Sequence, residues 1–309
     1  MRLVSKREYD VVIIGGGPAG LAAGIYTSRA RLSSLLIEKM AAGGRIVDAG
    51  LVENYPGFLQ GVSGLELAEA MQQQAAKFGL ETLLAEVTGL ELKGEHKIVK
   101  TSEGDITAKA VIIASGSDRA KLGVPGEEEF TGRGVAYCAI CDAYFYRDLP
   151  VAVVGGGNAA INEALELSKF AAKVTIIHRR QELRATRILQ ERAFAEPKIE
   201  FLWNTVAEAI EGEDAVKRLR LRNVLTGEKS TLDISGIFVA VGFRPNTDYL
   251  KGILSLDANG AIITNEKMET EVPGIFAAGD IRASSIRQVI AAAGDGSVAA
   301  IYAERFIAG

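Results

Sequence analysis

The chain has 309 residues, 48% of them hydrophobic and 24% charged, with 35 Lys and Arg against 39 Asp and Glu for a formal net charge of -4. That length accommodates two domains with buried cores, and the acidic balance, with a pI near 5.5, excludes the extended basic footprint of a nucleic-acid binder. The opening MRLVSKREYD is basic but lacks the apolar stretch of a signal peptide, and every long apolar run is broken by Gly or charge before it spans a bilayer. The expectation is an unprocessed cytoplasmic protein with neither membrane nor nucleic-acid partners.

Apolar runs alternate with Ala-rich helical stretches: YDVVII, SSLLIE, KAVIIAS, LPVAVV, KVTIIH, GIFVAV and GIFAAG read as strands. The alternation predicts βαβ units and an α/β fold with largely parallel sheets. After the first strand, Gly15, Gly17 and Gly20 satisfy G-x-G-x-x-G. In that pattern the first glycine permits a tight turn, the second admits a pyrophosphate, and the third lets the helix pack on the strand. Glu38 closes the next strand about 20 positions on, where a ribose-binding carboxylate belongs. A glycine turn without a ligand is the bland alternative. Residues 85–110 alternate between apolar and polar with Gly-containing turns, which predicts a β-meander flanking the first sheet. Ser115-Gly116-Ser117 then marks a candidate hinge.

YCAICDAYFY holds both cysteines of the chain, Cys138 and Cys141, followed by Asp142. A zinc site needs about four ligands, and His96 and His178 lack paired spacing. A structural disulfide closing so short a loop contributes only about 2 kcal/mol before strain, and two inert buried thiols are a further reading. C-x-x-C suits a redox dithiol, in which one thiolate attacks a disulfide and the other resolves the mixed intermediate. Asp142 is then a general acid or base, or simply an acid in the first turn of a helix.

VAVVGGGNAA repeats the glycine motif as Gly155, Gly157 and Ala160, so two nucleotide-binding units are expected, the second inserted into the first. Its next strand ends not on an acid but on His178, Arg179 and Arg180, with Arg184 following. Cations here suit a 2′-phosphate, pointing to NADP; alternatively HRRQELR opens a solvated basic helix. Gly242-Phe243-Arg244-Pro245 gives the second hinge, and the division expected is 1–117, 118–244 and 245–309. In GIFAAGDIRASSIRQVIAAAGDG, Asp280 can accept from a ribityl or ribose hydroxyl. A helix starting near Arg287-Gln288-Val289 either aims its amides at a flavin edge or is packed tightly for stability. Two unlike nucleotide signatures in one chain suit hydride transfer from NADPH to FAD.

GGGPAG, VENYPG, CAICD, GGGNAAINEA, HRRQELRA, VAVGFRPNT and AAGDIRASSIRQVIAAAGDG, in that order over nearly the whole chain, resemble the low-molecular-weight bacterial thioredoxin reductases. The resemblance implies a homodimer with two Rossmann-like domains: FAD in the discontinuous outer one, and NADPH in an inserted domain that rotates to bring nicotinamide or dithiol to the flavin. It implies that Cys141 faces the flavin, Cys138 attacks thioredoxin, and Asp142 donates the proton. FAD would be held by Gly15, Gly17, Pro18, Ala19, Gly20, Glu38, Arg45, Ile46, Asn54, Val87, Ala114, Gly116, Gly279, Asp280, Arg287, Gln288 and Val289. NADPH would be held by Gly155, Gly157, Asn158, Ala159, His178, Arg179, Arg180, Arg184 and Gly242. The chain departs from the family at Gly43-Gly44-Arg45, where Gly-Gly-Gln is common, so that a cation sits near the flavin or points away. It departs again at Ile140, where Thr is frequent, and at Phe243, where some relatives carry His. Rival readings are a reductase serving a glutaredoxin-like or peroxidase partner, one fed by reduced ferredoxin, and a non-catalytic redox sensor.

Overall fold

The computed structural model describes residues 7–309. They form two compact units: the residues up to Asp118 together with Arg244–Gly309, and the contiguous stretch Arg119–Phe243. In the first, β1 (Glu8–Ile14) leads through the glycine turn into α1 (Pro18–Arg29) and β2 (Ser34–Glu38), which pairs with β1 in parallel. Val11, Ile13 and Leu36 pack with α1 on one face while Val12, Leu35 and Ile37 fill a separate cluster on the other. Both faces are covered, which is why these strands are apolar at consecutive positions. α2 (Gly64–Lys77) opens on a capping box, Ser63 Oγ accepting from Glu66 N at 3.1 Å and Glu66 Oε2 from Ser63 N at 3.2 Å, a device worth about 1 kcal/mol. β3 (Glu81–Leu84) joins β2, and the meander β4 (Val87–Lys93), β5 (His96–Thr101) and β6 (Ile106–Ile113) follows, with β6 also parallel to β1. A short strand, β7 (Ser117–Arg119), carries the chain out.

The second unit contains β8 (Val135–Ala136), α3 (Ala139–Asp142), β9 (Pro150–Val154), α4 (Asn158–Ser168), β10 (Lys173–Ile177), α5 (Arg187–Ala195) and β11 (Ile199–Leu202). An antiparallel sheet of β12 (Thr205–Gly212), β13 (Val216–Asn223) and β14 (Lys229–Asp233) precedes β15 (Gly236–Val239). The main sheet is parallel and five-stranded in the order β11-β10-β9-β15-β8. The predicted strands do not include this antiparallel sheet, although LRLR alternates as a strand covered on one face does. In VKRLRLRN, Val216, Leu219 and Leu221 are buried and Lys217, Arg218 and Arg220 are exposed.

The chain returns through β16 (Phe243–Pro245) to β17 (Ile275–Ala277), which pairs with the second half of β6, and to α6 (Val289–Ala308). The first sheet is then seven-stranded, in the order β3-β2-β1-β6-β5-β4 with β17 beside β6. α6 crosses α1 at backbone distance: a Cβ on Gly296 would strike the Ala19 carbonyl. Among the described residues, no helix is long and apolar enough to cross a membrane.

Candidate active site

At the end of β1, Gly15 turns the chain with φ 107°, a conformation side chains rarely adopt, and a Cβ there would strike Ala114 O. Gly20 lies against Gly15 O, where a Cβ would also collide. Gly17 is different: the nearest atom to its Cβ position is Gly44 Cα at 3.9 Å, which leaves room for a ligand to approach. α1 starts on Pro18 with Gly17 as its N-cap, no capping side chain and no acid in the first turn. The Ala19 and Gly20 amides thus lack intrahelical partners and face an uncontested anion position. Glu38 Oε2 accepts from Gly16 N at 2.6 Å and Oε1 from Met40 N at 3.1 Å, and each oxygen keeps a lone pair for a ribose hydroxyl. Ala85 N donates to Glu38 O at 2.9 Å, bringing the segment that begins β4 at Val87 alongside.

Other predicted residues of the first unit gather at the same strand ends. Ala114 N donates to Ile14 O at 2.7 Å and Ala278 N to Ile113 O at 2.9 Å, so Gly15, Ala114 and Gly279 share one sheet edge. Gly279 N donates to Asp295 Oδ2 at 3.1 Å, and Asp295 pairs with Arg282 at 2.8 Å with side chains 18% and 9% exposed. Burial pushes the Asp280 carboxyl upward, against the pull of Ser285, Arg287 and Arg45. Asn54 Nδ2 donates to Gln288 Oε1 at 2.8 Å, joining VENYPG to the N-cap of α6, which has no capping side chain of its own. Arg287, just before it, has φ 56°. Arg45 leaves a short 3-10 turn, Gly44–Asp48, that buries Ile46, and its Nη1 donates to Ser117 O at 3.2 Å. The Ser117 hydroxyl is buried without a hydrogen-bond partner among the described residues, a cost of about 1–3 kcal/mol unless another group meets it.

The second unit repeats the turn. Gly155 has φ 147° and lies against Ala240 O, while nothing stands within 4 Å of the Cβ position of Gly157, the N-cap of α4. HRRQELR is not helical here: its backbone bends around the turn, Arg184 N and Ala185 N donating to Gly156 O at 2.7 and 3.2 Å, with Thr186 N on Asn158 Oδ1 at 2.8 Å. Arg179, Arg180 and Arg184 are thereby exposed next to the glycines. His178 does not join them. Its backbone still belongs to the strand ladder, N donating to Leu202 O at 2.9 Å, so its ring points inward, 5% exposed, beneath Gly156 and within 3.1 Å of Glu182 O. Burial, reinforced by the arginines, lowers its pKa. Gly242, with φ 134°, accepts at its carbonyl from Ala120 N at 2.9 Å.

Cys138 and Cys141 are joined in a disulfide with Cα atoms 5.4 Å apart. Cys138 caps α3, Sγ accepting from Cys141 N at 3.3 Å; it is half-buried and Cys141 is exposed. Burial raises the carboxyl pKa of Asp142 in the same turn and, together with Asp142, that of the Tyr146 phenol. Glu163 of α4 accepts from Ala139 N and pairs with Arg119 at 2.7 Å. Tyr144 and Phe145 follow the dithiol at 67% and 74% exposure. Sequence reasoning missed Glu163, Arg119, Arg282 and Asp295. The acid in AAAGDG, alone within a small-residue helix, was a usable signal for Asp295; an acid on α4 reads as a solvated face and gave none.

The sequence profile of the family described as pyridine nucleotide-disulphide oxidoreductase matches residues 9–296. The chain is 46% identical over 308 residues to a thioredoxin reductase of Peptoclostridium acidaminophilum, covering 98% of each chain. It is also 46% identical over 303 residues to one of Bacillus subtilis, covering 98% of this chain and 96% of that one. The crystal structure of Lactococcus lactis thioredoxin reductase matches with a TM-score of 0.95 at 43% identity, over 97% of this chain and 99% of that one. Such relatives imply a flavin and a pyridine nucleotide as redox cofactors. With matches running the length of both units and a disulfide formed between the paired cysteines, the chain belongs to the pyridine nucleotide-disulphide oxidoreductase family, as a low-molecular-weight thioredoxin-disulfide reductase.

Proposed function

We propose that FAD is held by the first unit and NADPH by the second, and that a cytoplasmic homodimer carries out NADPH + H⁺ + thioredoxin disulfide → NADP⁺ + thioredoxin dithiol. When bound, a flavin would supply the two-electron chemistry that links a nicotinamide hydride to the Cys138–Cys141 bond. The chain's own residues do the rest. Gly15, Gly17 and Gly20 with the first amides of α1 (Pro18, Ala19) cradle the pyrophosphate, and Glu38 takes the ribose. Arg45, Ile46, Asn54, Val87, Ala114, Gly116, Gly279, Asp280, Arg287, Gln288 and Val289 line the remainder of that site. The fit rests on the open Cβ position of Gly17, the uncapped helix and the partnerless Ser117 hydroxyl.

In the second unit, Gly155, Gly157, Asn158, Ala159 and Gly242 receive the other dinucleotide, and Arg179, Arg180 and Arg184 read its 2′-phosphate. His178 supports the turn from below. Cys138 as thiolate attacks the partner's disulfide, Cys141 resolves the mixed disulfide, and Asp142 moves the proton, its raised pKa bringing it nearer to working range. Rotation of the second unit about the two chain crossings separates the stages. The disulfide at the mouth of a helical turn, with the half-buried Asp142 carboxyl beside it, carries this reading.

Cys138→Ser tests it. Flavin bleaching by NADPH should persist within about threefold while thioredoxin turnover falls by at least about 10³-fold; retained turnover refutes the assigned relay. A preparation without a flavin spectrum, or one using NADPH and NADH equally, refutes the cofactor assignment.

A further inference from the structure

Glu163 reaches the redox helix from a different element. It projects from α4, and its oxygens divide their work: Oε2 accepts from Ala139 N, the first amide of α3, and Oε1 takes the Arg119 guanidinium at 2.7 Å. Both side chains are largely buried, at 11% and 17% exposure. The Ala139 amide is one peptide unit from Cys138, at the end of a helical turn where amide dipoles favour a thiolate. A buried carboxylate at that point opposes the thiolate, and the guanidinium behind it offsets the opposition. Neither group has a part in moving the proton, which falls to Asp142.

We propose that Glu163 and Arg119 are positioning residues that also set the redox equilibrium of the dithiol: the carboxylate fastens the Cys138–Cys141 turn to α4, and the balance of the two charges fixes how readily the reduced pair gives up its electrons. Reduction adds two electrons and two protons to the disulfide, and the sulfur of lower pKa then carries negative charge for part of the time. Whatever stabilises that charge favours the reduced pair and makes it the weaker reductant. Loss of the carboxylate therefore favours the dithiol, and loss of the guanidinium favours the disulfide.

The holoenzyme is equilibrated anaerobically in glutathione buffers, two glutathione thiols reducing one Cys138–Cys141 disulfide as one glutathione disulfide forms. The reduced fraction is read by mass after alkylation. One pH is used throughout, because Asp142 and Tyr146 also titrate beside the pair. Glu163→Gln keeps an oxygen for the Ala139 amide and loses the charge; its equilibrium moves toward dithiol about tenfold, the size of a one-unit change in a thiol pKa, or about 30 mV for a two-electron couple. Arg119→Gln moves it the other way. Shifts of one sign in both variants, or Glu163→Gln within about twofold of the parent, overturn the proposal. If Glu163→Gln does not fold, Arg119→Gln alone decides: no shift toward disulfide overturns it. The inference rests on the disulfide being the redox group. A parent protein that never exchanges with glutathione sinks that reading, whereas a normal parent with indifferent variants sinks only the role of the pair.

Discussion

Asp295→Ala asks whether the turn bearing Asp280 is held by the ion pair beneath it. Asp295 accepts from Gly279 N at 3.1 Å and pairs with Arg282 at 2.8 Å, the two side chains 18% and 9% exposed. Removing one partner of such a pair costs about 3–5 kcal/mol when the survivor is left buried and unpaired. Arg282 is not so abandoned, because Nε keeps Thr264 Oγ1 at 3.0 Å and Nη2 keeps Ser284 Oγ at 2.6 Å. The expected loss is therefore about 2–3 kcal/mol, of which about 1 kcal/mol is the Gly279 hydrogen bond. In a unit of roughly 150–250 residues each kcal/mol lowers the melting temperature by about 2–4 °C, so the transition of the first unit should fall by about 4–12 °C. Scanning calorimetry of the full chain reads this, with hydrogen exchange at the Gly279 amide as the local measure. A fall below about 2 °C, or an equal fall in the transition of the second unit, refutes the reasoning.

Arg179→Gln with Arg180→Gln should raise KM for NADPH about 10- to 100-fold, at about 1.4 kcal/mol per lost contact with neighbours coupled, and leave KM for NADH within about twofold. Steady-state rates with both coenzymes decide, and equal effects count against phosphate reading. Asp142→Asn should slow disulfide exchange about 10²-fold. Burial raises the folded pKa of Asp142 above its unfolded value of about 3.9. The ionised carboxylate is thus a stability cost that is absent below that value and fully present once pH passes the folded pKa. The Asn variant should accordingly unfold at higher urea than the parent at pH 7, with the advantage gone below about pH 4. Phe145→Ala, at a side chain 74% exposed beside the dithiol, should raise KM for thioredoxin about tenfold through a lost aromatic anchor. Turnover of a small aromatic disulfide should be unaffected.

What the sequence disclosed was local. YDVVII, KAVIIAS and KVTIIH became strands because consecutive apolar residues suit a sheet covered on both faces. Glu38 meets the glycine turn because βα geometry fixes how far the second strand's end lies from it. C-x-x-C spans one helical turn, so the sulfurs meet without help from the rest of the fold. What stayed hidden depended on long-range choice. Nothing local selects Glu163 for Arg119, 44 positions away, or Arg45 for Ser117, 72 positions away. His178 read as part of a cationic run, yet the strand ladder extends one residue further and turns its ring under the glycines. Only a single residue of register separates the buried His178 ring from the exposed Arg179 side chain.

The division of the chain also bears on its synthesis. Arg119–Phe243 is one continuous stretch and possesses every strand of its parallel sheet once Val239 has left the ribosome, whereas β6 still lacks Ile275–Ala277 and α1 still lacks Gly296 and Ala299. At about 5–20 residues per second, the earlier-starting unit stays unfinished for several seconds after the later one can fold. During that interval the apolar flank of α1 is bare and open to chaperones or aggregation, and the cysteines are already seated in a folded unit before β17 and α6 complete the other one.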